Sequence, residues 1–257
     1  MNSTALAGRR VVVTRPAGQA AHMAALIRAA GGEALLFPAL EIFDTAESPQ
    51  LRALIEHLET FDLAIFISAN AVSKALALVR ARRDWPPALR VATVGRGSER
   101  ELQRHGFAAV IAPGERFDSE GLLELPELQQ LAGKRVVIFR GAGGRELLGD
   151  TLTARGAAVE YAECYRRGRP NADPAPLLAR CARRELDAIT VTSSEGLANL
   201  HAMLGEAGRQ CLQGTPLFAP HERIAAAARA LGVRTVVLTG PGDAGLVAGL
   251  AGFFAKV

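Results

Sequence analysis

Apolar and polar positions alternate between two periods along this chain of 257 residues. Val11–Thr14 is a short β-branched run and reads as a buried strand. From Gly18 to Ala30 the apolar residues fall at helical spacing (Met23, Leu26, Ile27, Ala30), and Gly31-Gly32 ends the pattern as a helix C-cap would. Ala34–Phe37 is a second strand, stopped by Pro38, and Leu51–Leu58 a helix. Leu63–Ile67 is a continuous apolar run of the kind found in parallel sheets covered on both faces. Ser68-Ala69-Asn70 then supplies side-chain oxygens for the free N–H groups of a helix reaching about Val79. Strands follow at Val91–Val94 and Val110–Ile111, helices at Ser98–His105 and from Ser119. Later strands at Ile189–Thr192, Leu217–Phe218 and Val236–Leu238 alternate with helices to the end, and Arg167–Pro176, with three prolines, reads as a loop. Strand–helix alternation throughout predicts a parallel, doubly wound α/β sheet.

The pattern occurs twice. Arg10, Val11, Val12, Arg15, Gly18 and Gly31 match Arg135, Val136, Val137, Arg140, Gly143 and Gly156, each 125 residues on. FDLAIFISANAVSKAL from Phe61 matches LDAITVTSSEGLANL from Leu186, setting Asp62 over Asp187 and Ser68 over Ser193. A third block, from Arg90, matches Thr215 onward at an offset of 126. Three blocks in one order at one offset make the chain two copies of an α/β unit. The repeat alone does not decide whether the units are sequential or have exchanged elements.

Composition narrows the function. A chain 49% hydrophobic and 22% charged is globular, and 5% aromatics argue against base-stacking platforms for single-stranded nucleic acid. The formal charge of +4 is modest, no basic stripe suits duplex DNA, and no apolar stretch reaches the ~20 residues of a membrane span. Nothing at the N-terminus has signal-peptide form. Three cysteines without a CxxC are expected to be reduced thiols of a cytoplasmic protein.

In open α/β sheets ligands bind outside the carboxyl ends of the strands. Those ends carry Arg15, Ser68–Asn70, Gly95 and Ser98, Ser119, Arg140–Gly141 and Arg145, Ser193–Ser194, and His221. Small hydroxyls, glycines and arginines at helix N-termini suit carboxylates or phosphates, here an anion-rich ligand lying between two domains. Gly141-Ala-Gly-Gly begins like a dinucleotide loop, but Glu146 takes the place of the third glycine and the fingerprint fails. The histidines are scattered, so no metal site is expected, and only His221 stands at a strand end. Tyr165 ends a strand; it is either a structural tyrosine with its hydroxyl at the surface or a phenolic donor facing a cleft. A site so short of ionisable catalysts works mainly by holding a reactive substrate in one geometry, worth ~7–11 kcal/mol. An anion-binding protein without chemistry and a nucleotide-dependent enzyme are the competing readings.

VVVTRP, FISANAV, VATVG, FDSEGLL, RGAGGRELL, the ECY strand end, TVTSSEGLANL and PHERIAAAARALG, in this order and spacing, resemble the uroporphyrinogen-III synthases. The resemblance implies two flavodoxin-like domains: one from residues 1–37 with 170–257, one from 42–163, with 38–41 and 164–169 as linker strands. It implies a cofactor-free monomer in the cytoplasm that cyclises hydroxymethylbilane, a polycarboxylate, to uroporphyrinogen III with loss of water and inversion of ring D. No nucleic acid or membrane partner is implied. By family position Tyr165 is the expected acid for the departing hydroxyl, and Ser98 stands where relatives often have threonine. Arg15, Arg140 and Arg145 are expected to meet substrate carboxylates. At Glu222-Arg223 the chain departs from relatives that carry hydroxyl residues.

Overall fold

The computed structural model describes residues 4–45 and 48–256. Its strands are β1 (Arg10–Val13), β2 (Glu33–Leu36), β3 (Glu41–Asp44), β4 (Leu63–Phe66), β5 (Arg90–Thr93), β6 (Val110–Ile111), β7 (Arg135–Gly141), β8 (Ala158–Gly168), β9 (Ala188–Thr190), β10 (Leu217–Ala219) and β11 (Val236–Leu238). Its helices are α1 (Ala20–Ala29), α2 (Pro49–Glu56), α3 (Ala69–Arg80), α4 (Arg96–Arg104), α5 (Ser119–Leu123), α6 (Leu147–Ala154), α7 (Ala175–Ala182), α8 (Ser194–Gly214), α9 (Glu222–Ala230) and α10 (Gly242–Phe254).

The chain folds as two compact units, one formed by residues up to Glu41 and from Gly168 onward, the other by Ile42–Arg167. The first holds a parallel sheet in the order β11-β10-β9-β1-β2. The second holds β3-β8-β7-β4-β5-β6. Residues 125 apart open β1 and β7, β2 and β8, and β4 and β9. Numbered by the repeat, both sheets therefore run 2-1-3-4-5, the flavodoxin-like order, with β3 added outside β8 in the second. Each unit takes strands 1 and 2 from one copy and strands 3 to 5 from the other, so the copies have exchanged halves.

The alternation along each strand sends successive side chains to opposite faces, and both faces are covered. In the second unit Ala64, Phe66, Val137 and Phe139 enter one core, while Leu63, Ile65, Val136 and Ile138 enter the other. In the first, Val12 faces one core and Val11 and Val13 the other. Phe66 and Phe139 stack with ring centroids 4.9 Å apart, beneath the strand ends that carry Ser68 and Gly141.

The repeated aspartates make the same clamp in both units. Asp62 N–H donates to Arg135 O at 2.9 Å and its carboxylate accepts from Arg135 N–H at 2.9 Å; Asp187 pairs with the backbone of Arg10 in the same way, at 2.9 and 2.8 Å. The Arg135 N–H first, and the Lys134 ammonium next, hold the Asp62 carboxyl below the usual carboxylate range. A depressed carboxyl contributes stability that is complete above its unfolded value, about 4, and is lost as pH falls through the folded value. Asp62→Asn is therefore expected to lower the thermal midpoint at pH 7 and to cost less at pH 3. Melting curves at both pH values check this, and an equal deficit at both would remove the carboxylate's charge from the account.

The expectation of three free thiols is corrected. Cys164 is free and buried, its thiol pushed up to about 12 chiefly by burial. Cys181 and Cys211 form a disulfide with Cα atoms 5.9 Å apart. The packing of α7 on α8 brings them together, and no sequence motif announces a contact of that kind.

Candidate functional site

The carboxyl edge of the second unit's sheet gathers most of the expected residues. Ser68 follows β4 in extended backbone and caps α3, its Oγ accepting from Ala71 N–H at 3.1 Å. Ala69 and Asn70 form the first turn, both half-buried. One strand over, Gly95 is the N-cap of α4 without a side chain to offer, and Ser98 lies buried in that helix's first turn. Ser119 opens α5, but the cap there is Asp118, whose Oδ1 accepts from Gly121 N–H at 2.8 Å.

On the other side of β4 stands Tyr165, a buried residue whose hydroxyl meets Ser68. The residue is 4% exposed, and its Oη lies 3.0 Å from Ser68 Oγ. A register shift between Arg140 and Gly141 sets Gly141 opposite Tyr165, and Ala142 N–H donates to Tyr165 O at 2.8 Å. A Cβ on Gly141 would come within 2.6 Å of the tyrosine ring, so glycine is the residue that lets the ring lie across β7. Gly143 and Gly144 have φ of +69° and +126°, the left-handed region that this turn needs.

Ser68 thus has two duties, and Ser68→Ala removes both. Loss of an N-cap oxygen costs about 1 kcal/mol, with about 1–3 kcal/mol more for a buried phenol left without its partner. Denaturant unfolding should show this deficit, and a midpoint within error of the parent would mean that the Oγ contacts carry no weight.

Arg140 is 3% exposed and already paired. Its Nη1 donates to Glu146 Oε1 and Oε2 at 3.1 and 3.3 Å, and its guanidinium lies 4.7 Å from the Tyr161 ring centroid. The Glu146 carboxyl is held low, first by the Tyr161 hydroxyl and then by Arg140. Tyr161 is pushed up to about 12, chiefly by burial and then by its bond to Glu146. The ring is 38% exposed, yet its hydroxyl end packs on Gly149, which agrees with that burial. Arg145, by contrast, is exposed and pairs with Glu120 at 2.7 Å. The sequence signalled neither carboxylate as a partner; Glu146 stood out only as the residue that breaks the glycine fingerprint.

At the carboxyl edge of the first unit's sheet, Ser193 caps α8, accepting from Gly196 N–H at 2.9 Å, and is the repeat counterpart of Ser68. The next residue, Ser194, has a buried Oγ without a protein partner. His221 is exposed at the N-cap of α9 and makes no side-chain cap bond. Arg15 Nη2 lies 2.8 Å from Asp243 Oδ1, near enough for an ion pair but not aligned as a hydrogen bond, and His22 Nδ1 lies 2.9 Å from the other carboxylate oxygen. No group of three or more His, Cys, Asp or Glu side chains is arranged for a metal ion among the described residues. No helix among them is long and apolar enough to cross a membrane.

Residues 21–248 match the family described as "Uroporphyrinogen-III synthase HemD". The chain is 38% identical over 235 residues to the uroporphyrinogen-III synthase of Salmonella typhimurium, covering 91% of this chain and 96% of that one. The Escherichia coli enzyme is 36% identical over the same length and shares. A mutant uroporphyrinogen III synthase structure from Thermus thermophilus superposes with a TM-score of 0.61 at 23% identity, covering 95% of this chain and 97% of that one. The Helicobacter pylori uroporphyrinogen-III synthetase does so at 0.59 and 15%, covering 96% and 99%. These two likenesses support the fold.

Proposed function

The chain belongs to the uroporphyrinogen-III synthase family, and we infer from that premise how its own residues carry the reaction. It is a cyclising lyase of tetrapyrrole synthesis that converts hydroxymethylbilane to uroporphyrinogen III, with loss of water and inversion of ring D.

Tyr165 gives its proton to the terminal hydroxyl of the bilane as the C–O bond breaks, so that water leaves and a methylene cation remains. Ring D attacks that cation through its substituted carbon, and the spiro intermediate opens and recloses with the ring inverted. The proton lost on rearomatisation balances the one given up, and no electron is gained or lost, so the sequence calls for no redox partner. Ser68 steadies the phenol, and the single observation that carries this role is its 3.0 Å contact with Tyr165 at the carboxyl edge of the sheet.

The backbone N–H groups and side chains at the starts of α3, α4 and α8 (Ala69, Asn70, Gly95, Ser98, Ser193, Ser194), with Ser119 and His221, take substrate carboxylates. Arg140 acts differently from Arg15 and Arg145: buried against Glu146, it fixes the Gly141–Glu146 turn behind the Tyr165 ring. Arg15 and Arg145 meet carboxylates only by exchanging Asp243 and Glu120 for them. The two α/β units serve as the family's two domains, with residues 38–41 and 164–169 as the linkers between them. The same reading makes the protein a monomeric cytoplasmic enzyme without a nucleic-acid partner.

The test is a coupled assay that generates hydroxymethylbilane in the presence of the protein, followed by oxidation and chromatographic separation of the isomers. Predominantly isomer III is expected. Isomer I alone, the product of unassisted closure, would overturn the reading and leave an anion-binding protein in its place.

A further inference from the structure

Arg96 and Phe117 form a feature that the reaction steps above do not use. Phe117 lies between β6 and α5, and Arg96 is the first residue of α4, so both stand at the carboxyl edge of the second unit's sheet. The Arg96 guanidinium sits 4.4 Å from the Phe117 ring centroid, yet the phenylalanine remains 40% exposed. A solvent-facing aromatic ring offers an apolar surface on which a planar ligand can stack.

The backbone on either side of the ring is pinned. Its neighbour Arg116 donates through Nε to Asp118 Oδ2 at 2.9 Å, and Asp118 caps α5. The backbone oxygen of Arg116 lies so close to Gly121 that a Cβ there would come within 2.0 Å of it. A segment whose backbone is already ordered loses less entropy when its side chain binds.

The charges at this edge single out the same place. Arg116 pairs with Asp118 and Glu124, Arg140 with Glu146, and Arg145 with Glu120. Arg96 is exposed, and among the described residues no carboxylate pairs with it.

Resting on the synthase reading, we propose that Arg96 and Phe117 bind one carboxylated pyrrole of the linear substrate. The pyrrole stacks on the phenylalanine, and one of its carboxylate arms pairs with the guanidinium. Arg96 follows β5 and Phe117 follows β6, one and two strands beyond β4, whose end carries Ser68, so this pyrrole lies to one side of the carbon that reacts near Tyr165. The pair is a specificity element for the polycarboxylate chain and takes no part in breaking bonds.

Phe117→Leu keeps the apolar volume and removes the aromatic face. It should raise KM for hydroxymethylbilane by about three- to ten-fold, the worth of one aromatic pair, with a smaller change in kcat and an unchanged thermal midpoint. Phe117→Tyr should restore KM, and Arg96→Met should raise it in turn. Parent-like KM in both Phe117→Leu and Arg96→Met would overturn the assignment, as would a loss confined to kcat. Failure of the synthase reading is distinguishable, because the parent would then form isomer I alone. In that event equilibrium binding of uroporphyrin III, which needs no turnover, decides the matter. Weaker binding by both variants supports the platform, and binding equal to the parent's sinks it.

Discussion

Tyr165→Phe is expected to lower kcat for the conversion of hydroxymethylbilane by about 10²–10⁴-fold, the usual contribution of a positioned acid, and still to form isomer III. Some turnover should survive if the other groups at the strand ends hold the bilane in its reactive geometry. The fold is nearly indifferent to the change. Ser68 Oγ keeps its bond from Ala71 N–H, and the lost hydroxyl contact is worth only about 0.5–1.5 kcal/mol. Single-turnover measurements with isomer analysis, set beside denaturant unfolding, separate the two effects. Turnover equal to the parent's would remove Tyr165 from the chemistry and leave it as a core residue.

Gly141→Ala should damage both stability and activity through one methyl group. Its Cβ would stand 2.6 and 2.7 Å from two carbons of the Tyr165 ring, closer than carbon atoms pack. The ring cannot swing away freely, because it is buried in the core that holds Phe66, Phe139 and Cys164. Either the ring shifts and its hydroxyl leaves Ser68, or β7 parts from β8. Overpacking of this kind costs about 1–3 kcal/mol, and the displaced hydroxyl should cost activity comparable to Tyr165→Phe. The double variant Gly141→Ala/Tyr165→Phe should then lose little more activity than either single one. Full additivity of the two losses in ln kcat would show that Gly141 does not act through the tyrosine.

The strands were legible because each states its own burial. Val11–Val13, Leu63–Phe66 and Val136–Phe139 are apolar without interruption, as strands covered on both faces must be. The repeat then fixed their correspondence. What the pattern could not state was which strand lies beside which: β1 pairs with β9, on the far side of the whole second unit.

The site divides in the same way. Ser68 and Ser193 could be read as caps because a cap depends on the next three residues. The partners of the arginines could not be read, since Arg15 meets Asp243 and Arg145 meets Glu120 across separations that no period governs. Cys181 and Cys211 were hidden for the same reason. Tyr165 was read as ending a strand, whereas β8 runs on to Gly168, and its burial accompanies the register shift at Gly141.

The exchange of halves also sets an order of events during synthesis. Every strand of the second unit has been synthesised once Gly168 is made, whereas β1, α1 and β2 lack their neighbour β9 until Ala188–Thr190 are made. At the usual pace of translation that is a wait of roughly 10–30 seconds. Throughout it Val11, Val13, Met23 and Ile27, all buried in the finished protein, have no complete core to enter. The sheet that contains residue 10 is thus the last whose strands are all made.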